Sequence, residues 1–306
     1  FLRKPAPLKV LTAMTPGISV LIPERANREM LQRCLESLGP ACAAHNEPVE
    51  IVVVVTGAES DGYRQLMKEF PARWIFRSKP LWFVDAVRVG LAAAKYEWIY
   101  LLNTDVRVHP GALREAAKWR SPTVFAVSSQ IFFEDSSKRR EETGLTELRN
   151  GDGIIEILDI PPADDCRVRP HAYAGGGSSL FQRRLVTGFI DQTRSYAPFY
   201  WEDVEWGILA WRKGFEVLFC PQSIVWHSHR STNSKFFTAA EIDRIFARNR
   251  LRCQLRTGLL RDSMRTLFGT IARLDGKSFR EMLSPPFVAE ALGSRFRVYL
   301  DPPFSW

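Results

Sequence analysis

Ile18-Ser-Val-Leu-Ile22 is a short apolar run that ends at Pro23, and Glu50-Ile-Val-Val-Val-Val55 is a second run of the same kind. Continuous apolar runs of this length, rich in β-branched residues, are typical of strands that are buried on both faces. Residues 28–38, which lie between the two runs, place their apolar side chains along one helical stripe. The order strand, helix, strand predicts two parallel strands joined by a right-handed crossover.

The same alternation continues along the first third of the chain. Helical patterns follow at residues 63–70 and 84–94, and short apolar strands follow at residues 74–76 and 98–102. The last of these strands runs directly into Asn103-Thr-Asp105. The pattern predicts a nucleotide-binding half over residues 18–110, built on a Rossmann-like sheet in an α/β fold.

The rest of the chain predicts a second half and a basic tail. Residues 133–169 are charged, irregular and contain proline, which predicts a β-hairpin or a loop over a site. Arg-rich helical patterns occupy residues 239–274. The predicted units are one domain over residues 1–235, with halves 18–110 and 111–235, and a helical extension over residues 236–306.

The composition is that of a folded protein. Of 306 residues, 45% are hydrophobic and 25% are charged, which excludes a disordered or coiled-coil chain. The net charge is +8, and most of the excess lies after residue 230. Five cysteines without zinc spacing predict free thiols in a reducing compartment. No apolar run is long enough for a membrane span, so we expect a cytoplasmic protein, either free or held at the inner face of the membrane.

Asp105 follows immediately on a predicted buried strand. Ligands of open α/β sheets bind at this edge, where a carboxylate can hold a divalent cation against phosphate oxygens. A turn aspartate ahead of the turn-prone residues 106–110 is an equally good interpretation. Asn103 would add a neutral ligand or orient the pair.

Glu202 and Asp203 begin a predicted helix. Two acids in a first turn are explained by the helix dipole alone. Beside the aromatic residues Tyr200, Trp201 and Trp206, one of these carboxylates would also suit a general base acting on a sugar hydroxyl. The motif by itself does not separate the two roles.

Two further features are compatible with a ligand site. His227 and His229 are spaced to share one face, although most such histidines are structural. Gly175-Gly-Gly177 would let a ligand approach the backbone or would relieve crowding in a turn. Neither a G-x-G-x-x-G nor a G-x-x-x-x-G-K-[ST] pattern is present, which disfavours dinucleotide oxidoreductases and P-loop kinases.

Four arginines, Arg244, Arg248, Arg252 and Arg256, recur at every fourth position of a predicted helix. Like charges at this spacing destabilise a helix by roughly 0.2–0.5 kcal/mol per pair, so the stripe predicts an anionic partner such as a membrane surface. Pairing with acids elsewhere in the fold is the alternative. No nucleic-acid reader motif accompanies the arginines, so we expect no nucleic-acid partner.

Taken in order, these segments resemble glycosyltransferase family 2, the inverting GT-A glycosyltransferases, and especially its rhamnosyltransferase-like members. The resemblance covers about residues 18–251. It is carried by Val20-Leu-Ile-Pro23, residues 55–62, Gly90-Leu-Ala-Ala-Ala94, Leu101-Leu-Asn-Thr-Asp105, Trp201-Glu-Asp203 and Val225-Trp-His227.

The resemblance implies a GT-A type mixed sheet flanked by helices and a hexosyl- or rhamnosyltransferase-like activity in polysaccharide biosynthesis. A sugar would move from a nucleotide-diphosphate donor to a glycan or lipid-linked acceptor. Asp105 and His227 would hold Mg²⁺ or Mn²⁺ against the diphosphate, and Asp203, next to Glu202, would take the acceptor proton. The implied reaction is a single displacement that inverts the anomeric carbon.

The resemblance also implies which residues bind the substrates. The donor-binding set is Pro23, Glu24, Arg25, Thr56, Arg88, Asn103, Thr104 and Asp105, and the acceptor-binding set is Gly175, Gly176 and Trp201.

Several of these positions depart from the family's pattern. Thr56 stands where an acidic residue usually contacts the nucleobase, and Glu24-Arg25 stands where small or aromatic residues are common. Arg88 stands where asparagine is frequent, which predicts a phosphate clamp. The departures are compatible with an unusual donor or with a non-catalytic nucleotide-sugar-binding or scaffold domain of the same fold.

Overall fold

A mixed β-sheet runs through the molecule in the computed structural model, which describes residues 16–134, 144–151, 154–161, 166–228 and 235–258. The strands are β1 (Ile18–Glu24), β2 (Val49–Thr56), β3 (Arg73–Arg77), β4 (Trp98–Leu102), β5 (Val106–Val108), β6 (Val124–Phe133), β7 (Thr146–Gly151), β8 (Ile154–Asp159), β9 (Arg169–Pro170), β10 (Ser178–Gln182) and β11 (Glu216–His227). The helices are α1 (Arg28–Ala43), α2 (Arg64–Glu69), α3 (Phe83–Ala93), α4 (Ala112–Ala117), α5 (Arg183–Ile190), α6 (Glu202–Arg212) and α7 (Ala239–Thr257), with 3₁₀ turns at Ser60–Tyr63 and Asp191–Tyr196.

The strand order is β3-β2-β1-β4-β10-β6-β11-β5, and β9 pairs with β11. The first four strands are parallel, whereas β10 is antiparallel to both β4 and β6. Alternate residues of β1 face opposite sides, so Val20 and Ile22 pack with α1 and α4 while Leu21 packs with α3, α5 and α6. The predicted mixed sheet flanked by helices is therefore confirmed.

Local patterns predicted most of these elements and missed β10, the short strands β5 and β9, and helix α5. The strand-helix-strand unit β1-α1-β2 is confirmed, and the irregular segment does contain a hairpin, formed by β7 and β8. Strand β10 reads Ser-Ser-Leu-Phe-Gln and follows three glycines, so its sequence lacks the apolar run of a central strand. Its position between β4 and β6 brings the glycines against the end of β4, where Ser178 pairs with Leu102.

The predicted C-terminal extension is described as far as Gly258. Helix α7 begins with a capping box, in which Thr238 and Glu241 each accept a backbone N–H of the other. The continuation of this helix to residue 274 and the rest of the extension lie outside the described residues. In the part of the chain that the structure describes, no helix has both the length and the hydropathy needed to cross a bilayer.

Replacing Gly90 of α3 with alanine tests how closely this helix packs on the sheet. An added Cβ would lie 2.0 Å from Cδ1 of the fully buried Leu21, so the Leu21 side chain must repack within the core or the helix must move away from the sheet. We expect Gly90→Ala to lower the free energy of unfolding by about 1–3 kcal/mol in urea titrations.

Gly188→Ala on α5 is the matched control. Apart from its chain neighbours and the backbone of its own helix, no heavy atom lies within 4 Å of its added Cβ, so alanine should raise the free energy of unfolding by roughly 0.5–1 kcal/mol. Equal effects at the two positions would contradict the close packing of α3.

Candidate functional site

A cavity of about 310 Å³ opens at the carboxyl ends of β1, β2 and β4. This is the edge of an open α/β sheet at which ligands bind. Of the residues predicted for the site, the cavity is lined by Pro23, Glu24, Arg25, Thr56, Asn103, Thr104, Asp105, Gly176, Glu202, Asp203 and His227. Asp105 and Asp203, far apart in the sequence, thus lie on the wall of one cavity.

Asp105 and His227 are brought together by strand pairing. Asp105 directly precedes β5, and β5 is antiparallel to the end of β11, where Val106 pairs with His227. The Nε2 atom of His227 lies 3.5 Å from Oδ1 of Asp105, and the backbone N–H of Ser228 donates to the Asp105 carbonyl oxygen at 2.8 Å. Residues 229–234, and with them His229, lie outside the described residues.

The donor atoms of Asp105 and His227 fit a divalent cation. A carboxylate oxygen suits Mg²⁺ or Mn²⁺, and an imidazole nitrogen adds a ligand that first-row metals accept. Among the residues described, no cluster of three or more His, Cys, Asp or Glu side chains could hold a metal by itself. A cation at this pair would therefore take its remaining ligands from substrate oxygens and water, as Mg²⁺ commonly does.

Glu202 and Asp203 occupy the first turn of α6. Oδ2 of Asp203 accepts the backbone N–H of Gly176 at 3.1 Å, and Oδ1 accepts the N–H of Val204 at 2.9 Å. Burial raises the pKa of Asp203, although these N–H donors favour the ionised form. Burial raises the pKa of Glu202 well above its usual value, and the charge of Asp203 adds to the shift. Asp203 is therefore the more readily ionised of the two.

The two residues before α6 have an unusual backbone. Tyr200 has a φ angle of 76° and Trp201 one of 77°, in the left-handed region that costs a non-glycine residue about 1–3 kcal/mol. Tyr200 lines the cavity, whereas Trp201 is buried behind it with its ring centroid 5.4 Å from that of Phe246. Trp201 does not line the cavity, where an acceptor-binding residue would have to lie. Trp206, the other aromatic residue expected beside the carboxylates, is fully buried.

Glu24 and Arg25 form the wall at the end of β1. Oε1 of Glu24 accepts the N–H of Asn27 at 2.6 Å and the hydroxyl of Tyr63 at 3.0 Å, and burial raises the pKa of the carboxyl. The guanidinium carbon of Arg25 lies 5.2 Å from the ring centroid of Trp82 and 4.3 Å from that of Phe236. Arg25 is therefore held by cation–π contacts at the cavity.

The glycines ahead of β10 differ in their placement. Gly176 and Gly177 line the cavity, and Gly175 does not. The backbone N–H of Asn103 donates to the Gly177 oxygen at 2.9 Å, and a Cβ at Gly177 would lie 2.8 Å from the Asn103 side-chain nitrogen. Glycine at this position leaves room for the Asn103 side chain, which a larger residue would have to displace.

Arg88 lies outside the cavity. Its Nε atom is 2.9 Å from the Asp191 carboxylate, and its Nη1 atom is 3.9 Å from that of Asp85. The side chain is about half exposed on α3, and the cavity lining does not include it. Its placement on the cavity wall, on which the predicted phosphate contact depends, is therefore not observed.

Aromatic residues form one wall of the cavity, and most of them were not predicted from the sequence. Beyond Tyr200, the cavity is lined by Trp82, Phe83, Phe199, Phe236 and Phe237. Trp82 and Phe83 precede and begin α3, and the other three come from loops that no apolar periodicity marks. The density of aromatic residues around positions 82, 199 and 236 is the pattern that would have found them.

Two of the four arginines in the α7 stripe are buried, whereas Arg248 is half-buried and Arg244 is exposed. Arg256 and Glu205 form an ion pair with Nη2 and Oε1 2.8 Å apart, and their side chains are 2% and 0% exposed. Arg252 is also buried, and Arg248 donates to the backbone oxygen of Ala197. The predicted contact of this stripe with an anionic surface is wrong for Arg252 and Arg256, because both face the fold. The alternative, pairing with internal acids, is correct for Arg256.

The model of a family described as Glycosyltransferase like family 2 matches residues 16–244. The match covers most of the chain, from the start of β1 into α7. The chain belongs to this family. No curated protein matches the chain in sequence.

Solved structures share the fold. The crystal structure of GalNAc-T7 with UDP, GalNAc and Mn²⁺ has a TM-score of 0.58 and 14% identity, over 79% of this chain and 48% of that one. Residues 1–349 of TarS from S. aureus, in complex with UDP-GlcNAc, give a TM-score of 0.53 and 12% identity, over 92% of this chain and 81% of that one. The chain thus spans about half the length of GalNAc-T7. Both neighbours are glycosyltransferases of the predicted GT-A fold, which this chain shares.

The buried ion pair predicts a large effect on stability. Arg256→Met leaves the Glu205 carboxylate buried without its cation, which should lower the free energy of unfolding by about 3–5 kcal/mol in urea titrations. Arg33→Ala, which breaks an exposed pair with Glu29, is the control and should change it by less than about 1 kcal/mol. If Arg256→Met also lowered the free energy of unfolding by less than about 1 kcal/mol, the ion pair with Glu205 would not contribute appreciably to stability.

Proposed function

We propose that the chain is an inverting glycosyltransferase, which transfers a sugar from a nucleoside-diphosphate donor to a hydroxyl of a glycan or lipid-linked acceptor. The observation that carries the proposal is the convergence of Asp105 and Asp203 on one cavity at the carboxyl edge of the sheet. Family membership supports the reaction class. UDP in one structural neighbour and UDP-GlcNAc in another support the donor class.

The donor would bind with its diphosphate towards Asp105 and His227. A divalent cation held by these two residues would offset the negative charge of the departing diphosphate. Arg25 and Thr56, on the β1 and β2 side of the cavity, are then available to the nucleoside. The expected cytoplasmic location, either free or at the inner face of the membrane, stays a prediction.

Asp203 would act as the base. The acceptor hydroxyl attacks the anomeric carbon from the face opposite the diphosphate and gives its proton to the Asp203 carboxylate. The bond from the anomeric carbon to the diphosphate oxygen breaks, and the oxygen keeps the electron pair. Because attack and departure take opposite faces, the configuration inverts. Glu202, with its pKa raised further, is the weaker candidate for this role.

The aromatic wall suits the acceptor. Phe199 and Tyr200 line the cavity on the segment that leads into Asp203. Trp82 and Phe237 also line it, and their rings pack against each other with centroids 6.4 Å apart. Aromatic rings offer broad apolar faces, on which the C–H faces of a sugar ring can pack while its hydroxyls reach polar groups. This wall takes the acceptor role that the sequence analysis gave to Trp201.

Asp203→Asn tests the base. The amide cannot take a proton, so the transfer rate should fall by about 10²–10⁴-fold, while the Kd for a nucleoside diphosphate with Mn²⁺ stays within about threefold. The assay measures sugar transfer or donor hydrolysis, and calorimetry measures binding. The wild-type rate should decline as pH falls through the raised pKa of Asp203, since protonation removes the base.

Asp191→Asn is the matched control for charge. Asp191 is exposed outside the cavity, so its amide should leave transfer within about twofold of the wild-type rate. Donor binding without turnover by the wild-type chain would instead favour the non-catalytic binding domain. Loss of nucleotide binding in Asp203→Asn would place Asp203 in the donor site.

Asp105→Ala tests the donor side. Loss of one charge-assisted contact of about 1.5 kcal/mol or more should weaken Mn²⁺-dependent binding of the nucleoside diphosphate about tenfold or more. Thermal-shift titrations with and without Mn²⁺, over a panel of nucleoside diphosphates, measure this loss and identify the preferred base. An unchanged Mn²⁺ dependence would remove Asp105 from the cation site. Asp61→Ala, on an exposed residue, is the control.

A further inference from the structure

One side chain of α7 is hydrogen-bonded to the segment that leads into α6. Asn249 is fully buried, and its side-chain nitrogen donates to the backbone oxygens of Tyr196 at 2.7 Å, Phe199 at 2.8 Å and Tyr200 at 3.1 Å. Two N–H bonds serve three carbonyl oxygens, so one N–H is shared. We call residues 196–201, together with these contacts, the clamped turn.

The other end of the Asn249 amide fixes its orientation. Its oxygen accepts from Nη1 of Arg252 at 2.9 Å and from Nε of Arg248 at 3.3 Å. Because guanidinium groups only donate, the amide oxygen must face the arginines and the amide nitrogen must face the turn. The buried Arg252 and the half-buried Arg248 thus orient the residue that holds the clamped turn.

The clamped turn leads directly into α6, with Trp201 as the N-cap residue. Tyr200 and Trp201 hold left-handed backbone angles that side chains disfavour, and Asp203 follows two residues later. Conformations of this kind persist only where surrounding contacts impose them. The contacts that α7 supplies here include the Asn249 bonds and the packing of the Tyr200 and Trp201 rings against Phe246.

We propose that Asn249 is a positioning residue for the base Asp203. It holds the carbonyls of the clamped turn, so that α6 starts with the Asp203 carboxylate on the cavity wall and within reach of the Gly176 N–H. The inference rests on the proposed function, in which Asp203 is the base. It adds that α7, which contributes no described residue to the cavity lining, sets the rate of the chemical step.

Asn249→Asp is the sharpest variant. It keeps the shape of the side chain and an acceptor for the arginines, and it replaces the N–H donors with an oxygen that repels the turn's carbonyls. Since a misplacement of about 1 Å can cost about 100-fold in rate, we expect kcat to fall by about 10–100-fold. The Kd for a nucleoside diphosphate with Mn²⁺ should stay within about twofold, because the donor wall is formed by other segments.

Cys253→Ala is the matched control, because Cys253 lies one turn further along α7. It packs in the same core cluster as Tyr196 and Trp201, and its thiol contacts the side chains of Thr257 and Tyr196 rather than the backbone oxygens that Asn249 binds. Its removal should destabilise the packing of α7 while kcat remains within about twofold. Amide hydrogen exchange over residues 198–203 should accelerate in Asn249→Asp and stay unchanged in Cys253→Ala.

The outcomes separate the two proposals. Wild-type activity with an undiminished kcat in Asn249→Asp would overturn the positioning role and leave the glycosyltransferase proposal intact. Wild-type protein without transfer or donor hydrolysis would overturn both. If Asn249→Asp does not fold, Asn249→Ser, with a single short donor, is measured in its place and should show the same separation of kcat from Kd. Failure of both variants to fold would assign Asn249 to the fold alone and overturn the proposal.

Discussion

Two adjacent glycines join the two sides of the cavity. Gly176 donates its backbone N–H to Asp203, and Gly177 accepts the backbone N–H of Asn103, two residues before Asp105. The segment that leads into β10 therefore holds both carboxylate-bearing segments at once. A Cβ at Gly177 would lie 2.8 Å from the side-chain nitrogen of Asn103, so a larger residue there would displace that side chain at the cavity wall.

Burial of charge is the second constraint on this region. Glu202, Asp203 and Glu205 all lie in the first turn of α6, where the helix dipole favours negative charge, and Glu202 and Glu205 are nearly inaccessible to water. The cost of burying each carboxyl group is offset or avoided in a different way. Glu205 is neutralised by Arg256, Asp203 accepts two backbone N–H groups, and the pKa of Glu202 is raised by burial. Arg256 of α7 thus stabilises the acidic first turn of α6 through its ion pair with Glu205.

Helical periodicity identified the arginine stripe of α7 but not the environment of that stripe. A spacing of four residues places side chains on one face of a helix, and it carries no information about whether solvent or another helix lies opposite. The i, i+4 repulsion that suggested an external anion is offset for Arg256 by Glu205, 51 residues earlier in the chain. Asn249, between two of these arginines, carries no feature in the sequence that would mark it.

The sequence alone determined the β1-α1-β2 unit, the placement of Asp105 after β4 and of Asp203 at the start of α6, because local apolar runs and helical spacing depend on nearby residues only. It also carried the family's ordered motifs. The tertiary structure alone decided that β10 enters the sheet antiparallel to β4, that His227 lies beside Asp105, and that aromatic loops close the cavity while Arg88 pairs outside it. These contacts join residues far apart in the chain, and they follow from strand order and packing, which no local pattern encodes.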